Sequence, residues 1–131
     1  MCNNEYKCKV TINSQGDGWQ DEQRTDGEFT NDGTRVQLKY KLDGDNCILT
    51  FDGKTVTQQR AGENNLSLTF REGESCECTL TSGGMNGSFE IFTDEIKYTV
   101  NENNFKLFLK YSSGGDREKI NLKLTAEKIG G

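Results

Sequence analysis

The sequence predicts a single all-β domain over residues 1–131, folded as an antiparallel up-and-down barrel of about ten strands. Three observations predict this fold. Apolar and polar residues alternate in short runs, and sequences rich in Gly, Asn and Asp separate those runs. Alanine, the strongest helix former, occurs only at Ala61 and Ala126. Hydrophobic residues make up 31% of the chain, and such a thin core suits strands that bury only one face.

The alternation has a period of two residues, which is typical of strands with one wet and one buried face. Between the apolar residues stand mostly Lys, Asn, Thr and Gln, which we expect outside the barrel. The run from Phe89 to Val100 is interrupted at Asp94 and Glu95, where we expect a turn or a bulge. The predicted inward sets are Tyr6/Cys8/Val10/Ile12, Val36/Leu38/Tyr40/Leu42, Leu66/Leu68/Phe70, Cys76/Cys78/Leu80, Phe89/Ile91, Ile96/Tyr98/Val100, Phe105/Leu107/Leu109/Tyr111 and Ile120/Leu122/Leu124/Ala126.

Turn sequences fall between these runs, and closing the sheet into a barrel removes its exposed edges. Asp52-Gly53 is a candidate for a two-residue type I′ hairpin. The polar stretch Ser14–Arg24 is either a loop or a long, exposed strand that leads into residues 28–30. The other predicted turns are Asn31-Asp32-Gly33, Asp43-Gly44-Asp45-Asn46, Glu72-Gly73-Glu74 and Ser113-Gly114-Gly115-Asp116.

Composition excludes several classes of function. The chain has no histidine, so the commonest general base and the commonest metal ligand are both absent. The net charge of -5 argues against nucleic acid and anionic membranes as partners, because their phosphates require a basic face. Met1–Val10 carries Glu5 and two lysines and has no apolar stretch, so it does not read as a signal peptide. We therefore expect a cytoplasmic protein.

The cysteines fit the same expectation. There are five, an odd number, and we expect all of them to be reduced thiols. Cys76 and Cys78 share one strand face, but no histidine or second cysteine pair completes a tetrahedral metal site. We interpret both as small core residues and expect neither a metal nor a cofactor.

Four residues are candidates for ligand binding. Arg60 shares strand parity with Val56, so its guanidinium is expected to enter or cap the barrel lumen and to need acceptors there. The alternative is a bulge or strand end that leaves Arg60 in solvent. Trp19 either plugs one barrel end or is a partly exposed loop aromatic. Tyr40 and Tyr111 bring hydroxyl groups to the predicted inner face.

Two short segments carry a resemblance to a known family. Gln59-Arg60-Ala61-Gly62, followed by Phe70-Arg71-Glu72-Gly73-Glu74, resembles the bacterial YwiB-like family of uncharacterised proteins with a calycin-like β-barrel. Gly87-Ser88-Phe89-Glu90-Ile91 with Thr93, and the late Tyr111, match further features of that family. The turn Ser82-Gly83-Gly84-Met85-Asn86 departs from it, since the family usually has a proline there. The resemblance implies a calycin- or lipocalin-like barrel and a cytoplasmic setting, but no established activity.

Three functions are compatible with these observations. The leading hypothesis is a non-enzymatic barrel that holds a small, partly apolar molecule, because barrels of this size can enclose one ligand. The alternative is an interaction protein with a filled barrel that forms a homodimer or binds a protein partner. Phe92 and Phe108 are out of phase with the inward sets and would be its exposed aromatic anchors. A carboxylate-based enzyme is the third, and no catalytic residue is predicted.

Overall fold

The computed structural model describes residues 4–113 and 118–129, and it shows the predicted all-β barrel. No helix occurs in these two ranges, and thus none that could cross a membrane. The strands are β1 (Asn4–Gly16), β2 (Trp19–Asn31), β3 (Val36–Leu42), β4 (Asp45–Phe51), β5 (Thr55–Ala61), β6 (Asn64–Arg71), β7 (Ser75–Ser82), β8 (Met85–Val100), β9 (Asn104–Ser113) and β10 (Ile120–Lys128).

Each strand pairs antiparallel with the next one in the chain, and β1 pairs with β10 to close the barrel. The first two strands form the longest hairpin, in register from Asn4 opposite Asn31 to Gly16 opposite Trp19. Residues 14–16 and 19–24 therefore belong to paired strands. The strand alternative for this stretch is observed in part, because a turn at Asp17-Gly18 folds the stretch back on itself as a hairpin. Its side chains are mostly exposed because the arm of β2 pairs with β3 only from Gly27 onwards.

The turns alternate between the two ends of the barrel. The β1–β2, β3–β4, β5–β6 and β7–β8 turns lie at one end, which we call the Arg60 end after the residue near the close of β5. The β2–β3, β4–β5, β6–β7 and β8–β9 turns lie at the other, which we call the Tyr98 end after the residue in the last part of β8.

The type I′ geometry occurs at other turns than the one we predicted. Both central residues have positive φ at Asp43-Gly44 and at Gly83-Gly84, as type I′ turns require. The Asp52-Gly53 prediction is wrong. The two residues between the paired Asp52 and Thr55 are Gly53 and Lys54, and only the glycine has positive φ. The Asp52 carboxylate accepts the N–H groups of Lys54 and Thr55 and holds this turn closed.

Most residues of the inward sets predicted from alternation form the core in the middle of the barrel. Leu80 and Tyr98 are exceptions, because they lie near the two ends of the barrel and are 40% and 52% exposed. Phe29 has no exposed surface, stacks on Tyr6 at 4.6 Å between ring centroids and meets Phe105 at 5.7 Å. Phe70, which lies in β6, is almost fully buried as well. The largest fully buried side chains are Phe29, Phe70, Phe105, Leu38, Leu49, Leu107, Leu109, Leu124, Val10, Val56, Thr93 and Cys8.

A bulge in β8 explains the interruption seen in its sequence. The register with β9 shifts between Thr93 and Glu95, so one extra residue stands on the β8 side. Inward residues before the bulge have odd numbers, such as Ile91, and those after it have even numbers, such as Ile96. The bulge thereby lets one long strand keep an apolar inner face along its whole length.

Candidate functional site

Arg60 lies on the inner face of β5, as its parity with Val56 predicts, and it sits at the rim of the barrel. Its Nε donates to Asp45 Oδ2 at 2.7 Å. Its Nη2 lies 3.5 Å from the Leu42 carbonyl oxygen and 3.8 Å from the Asp43 carboxylate. The side chain keeps 31% of its surface exposed, so the guanidinium is both anchored and accessible. The Asp45 carboxylate raises the pKa of Arg60 above its usual value.

Asp45 is the functional residue that alternation did not reveal. It follows the type I′ turn at Asp43-Gly44, and it shares a strand face with Cys47, which pairs with Arg60 across β4 and β5. Gly62 belongs to the same cluster. Its φ is not positive, and a Cβ there would overlap the Asp45 carboxylate. The glycine therefore makes room for the Arg60 partner.

Tyr40 lies below this cluster in the barrel wall. It is 4% exposed, and its hydroxyl accepts a hydrogen bond from Gln58 Nε2 at 2.8 Å. Burial raises the pKa of Tyr40 far above its usual value, with a smaller effect from Cys47, so the phenol stays protonated at neutral pH. Its O–H hydrogen therefore remains available as a donor beside Arg60.

Tyr111 lies on the opposite side of the same barrel end. Its ring packs edge-on against Phe70 at 5.1 Å, and burial raises the pKa of its hydroxyl. Around it, several apolar side chains occupy inward positions by register but remain only half-buried, in contrast to the sealed middle of the barrel. This group, which we call the barrel mouth, consists of Leu66, Leu68, Phe89, Tyr111 and Leu122.

Trp19 does not plug the barrel, so the first of its two interpretations is wrong. It stands at the tip of the β1–β2 hairpin opposite Gly16 and is 41% exposed. Its indole Nε1 donates to Glu118 Oε1 at 2.6 Å, and the same oxygen accepts the Asp17 N–H at 3.0 Å. A Cβ at Gly16 would collide with the indole, which lies directly over that glycine. Trp19 is thus a partly exposed turn aromatic at the Arg60 end.

Phe92 and Phe108 point away from the barrel interior, but they do not form one patch. Phe92 is 37% exposed and Phe108 is half-buried. Phe92 lies opposite Ser112, four residues along β9 from Phe108, which separates the two by about 13 Å. Lys119 Nζ lies 5.9 Å from the centre of the Phe92 ring and covers it partly. The homodimer expected from these residues stays a prediction.

The cysteines are arranged as core residues. Cys8, Cys47 and Cys78 are buried, Cys76 is half-buried, and all four are free thiols; Cys2 lies outside the described residues. In the described part of the chain, no cluster of Cys, Asp and Glu side chains could hold a metal ion. The Cys78 Sγ accepts the Thr69 N–H at 3.4 Å, where β6 and β7 separate. Cys78 thus satisfies a backbone donor that the ladder leaves unpaired.

We expect these thiols to differ sharply in reactivity. Burial, with help from Asp26, raises the pKa of Cys8 to about 11, and burial also raises the pKa of Cys47 and of Cys78. A raised pKa keeps a thiol protonated and unreactive near pH 7. Alkylation of the native protein, mapped by mass spectrometry, should therefore modify Cys76 well before these three.

The redox state is measured on unfolded protein. Titration in denaturant without reductant should find all five thiols of the chain. A count near one or three would mean that disulfides form, and the expected reducing compartment would then be wrong.

Comparisons with known proteins agree with this architecture. Residues 7–123 match the family described as "Domain of unknown function (DUF1934)". The barrel is similar to the crystal structure of the ywiB protein from Bacillus subtilis, with a TM-score of 0.79 and 19% sequence identity over 98% of this chain and 94% of the other. No curated protein matches the chain. The resemblance to the YwiB-like family is confirmed, and at this identity the structural similarity shows the fold alone.

Proposed function

Because the chain belongs to the DUF1934 family, whose description assigns no activity, we propose a function from the barrel itself: binding of a small, partly apolar molecule at the barrel mouth. The observation that carries the proposal is the contrast between the middle of the interior and its Arg60 end. The middle is closed by fully buried rings, whereas the inward apolar residues at the Arg60 end keep exposed surface. A ligand would cover that surface and gain about 25 cal/mol for each Å² of apolar area removed from water.

The polar groups at this end define the chemistry of the ligand. Arg60 uses Nε for Asp45, and its Nη2 lies 3.5 Å from the Leu42 carbonyl oxygen and 3.8 Å from the Asp43 carboxylate. The five N–H donors of a guanidinium leave further donors for a ligand. Tyr40 lies deeper, with its hydroxyl hydrogen available. These groups suit a ligand with an apolar body and a polar head that accepts hydrogen bonds, such as a carbonyl, hydroxyl or carboxylate. The described polar groups at the rim, Arg60, Asp43 and Asp45, suit hydrogen bonding to a ligand, and we propose a binding protein and not an enzyme.

Native mass spectrometry of freshly purified protein tests this proposal. We expect the wild type to carry a bound small molecule and Arg60→Met to lose it, because Met keeps much of the stem volume but no donors. Stability should fall by only about 1–2 kcal/mol, since solvent reaches the Arg60–Asp45 pair.

The matched control is Arg24→Met. Arg24 pairs with Glu22 on the exposed arm of β2, so its replacement should leave the bound molecule in place. Two outcomes oppose the proposal. A wild type without any bound molecule, together with a loss of several kcal/mol in Arg60→Met, would make Arg60 a structural residue. No change in either quantity would make it an ordinary surface residue.

A further inference from the structure

The last part of β8 has a free edge at the Tyr98 end of the barrel. The β7 strand pairs with β8 only as far as Phe92, because β7 begins at Ser75. A bridge from Glu72 to Thr93 follows, and β8 then runs on to Val100 with β9 on one side only. In the described part of the chain, no strand pairs with the other side of this segment.

Two hydrogen bonds show which backbone groups face that open side. The Asn101 N–H donates to the Asn104 carbonyl oxygen at 3.0 Å, so these two residues form a hydrogen-bonded pair. Such pairs alternate with non-bonded ones, so the backbone groups of the preceding residue, Val100, make no hydrogen bond to β9. The Ile96 N–H donates to Glu72 Oε2 at 2.8 Å, away from β9. Because antiparallel strands alternate, the N–H and C=O groups of Tyr98 and Val100 also point away from β9. Such groups form a template for another strand.

A groove runs along this edge. One cavity of about 500 Å³ lies between Tyr98 and the β4–β5 and β6–β7 turns, and a second of about 220 Å³ adjoins it towards Val100 and the β2–β3 turn. The floor includes the Tyr98 ring, which is 52% exposed and packs edge-on against Phe51 at 4.6 Å. The groove therefore offers apolar contact beside unpaired backbone groups.

Three cationic side chains, Arg71, Lys54 and Arg35, line the groove on the side opposite β8. Arg71 is oriented by a hydrogen bond from its Nε to Thr55 Oγ1 at 3.0 Å, and no carboxylate of the described residues lies within 4.0 Å of it, of Lys54 or of Arg35. Three carboxylates line the same groove. Asp52 accepts turn N–H groups and Glu72 accepts the Ile96 N–H, while Glu74 stands at the β6–β7 turn. Since cationic and acidic side chains both line the groove, recognition here depends on directed hydrogen bonds from the guanidinium and ammonium groups more than on net charge.

We propose that this groove binds an extended peptide segment that carries an acidic side chain and adds as a strand to Tyr98–Val100. Main-chain hydrogen bonds to the edge would supply affinity, and the carboxylate would select for the cationic wall. A second copy of this chain fits poorly. In each copy the free edge lies in a groove lined by the β4–β5 and β6–β7 turns, and these turns would hold the edges of two barrels apart.

Nuclear magnetic resonance with two blocked peptides, acetyl-TVEVT-amide and acetyl-TVKVT-amide, tests the proposal. We expect the acidic peptide to shift the Tyr98 and Val100 amide signals and to bind about tenfold more tightly than the basic one. Val100→Pro removes an N–H that faces the groove and leaves the ladder with β9 intact, so it should abolish these shifts. Val100→Ala keeps the N–H and should retain them.

Arg71→Gln should remove the preference for the acidic peptide, whereas Lys106→Gln on the exposed face of β9 should not.

Three results would overturn the proposal. No shift at Tyr98 or Val100 up to about 5 mM peptide would mean that the edge does not accept a strand. Equal binding of both peptides would remove the cationic wall from recognition. Shifts that depend on protein concentration without peptide, and that disappear in Val100→Pro, would identify a second copy as the occupant. None of these readouts involves the barrel mouth, so the result is independent of the function proposed there.

Discussion

Replacing Leu38 with Asp is expected to abolish folding. Leu38 has no exposed surface, and it lies between Phe29 and Leu49 on the neighbouring strands, which are buried as well. An unpaired carboxylate at this position costs several kcal/mol on top of the lost packing, against a total stability of roughly 5–15 kcal/mol. Expression with measurement of the soluble fraction, followed by urea unfolding of any soluble protein, measures the effect.

The control for Leu38→Asp is a charge reversal on the outer face. Lys123 is exposed and lies opposite Asn13 and Phe108, so Lys123→Glu should change the unfolding free energy by less than about 0.5 kcal/mol. Lys39 is a less clean control, because Glu28 lies opposite it and a second acid there would add repulsion. Comparable losses in Leu38→Asp and Lys123→Glu would show that the inner and outer faces have been assigned wrongly.

The sequence predicted those features that depend on neighbours along one strand. A strand repeats every two residues, so the choice of inner and outer face is visible in β1, β3, β9 and β10 without any knowledge of their partners. The degree of burial then predicts how large the effect of a charge is at each inward position. Leu122 points inward, as expected, but it is half-buried at the barrel mouth. Leu122→Asp should therefore be milder than Leu38→Asp.

The features that the sequence did not reveal depend on pairing between strands. Asp45 becomes the partner of Arg60 only because β4 and β5 align Cys47 with Arg60. The free edge of β8 exists because β7 begins only at Ser75, opposite Phe92, which no pattern within β8 records. Trp19 was assigned to either a plug or a turn for the same reason, since its position depends on a long hairpin arm that extends beyond the neighbouring strand.

Gly27 is the second position at which we expect a large effect, and its importance comes from register alone. It lies in β2 between Cys8 and Tyr40 on the flanking strands. A Cβ there would stand 2.6 Å from the Lys39 carbonyl oxygen and 2.9 Å from Val10 Cγ2. The first of these atoms is backbone in the middle of a ladder, so it cannot move aside without breaking strand pairing. Gly27→Ala should therefore destabilise the protein by about 3 kcal/mol, the upper end of typical overpacking costs.

Gly87→Ala is the matched control, because Gly87 is also a strand glycine without positive φ. The nearest atom to its added Cβ would be the Leu80 carbonyl oxygen at 4.0 Å, which is ordinary contact. This change should be neutral or stabilise by about 0.4–1 kcal/mol, since alanine restricts the unfolded chain more than glycine does. Urea unfolding should separate the two variants by roughly 3–4 kcal/mol. Similar midpoints for both would mean that β2 can shift away from β3, and that the close approach at Gly27 does not fix the barrel wall beside Tyr40.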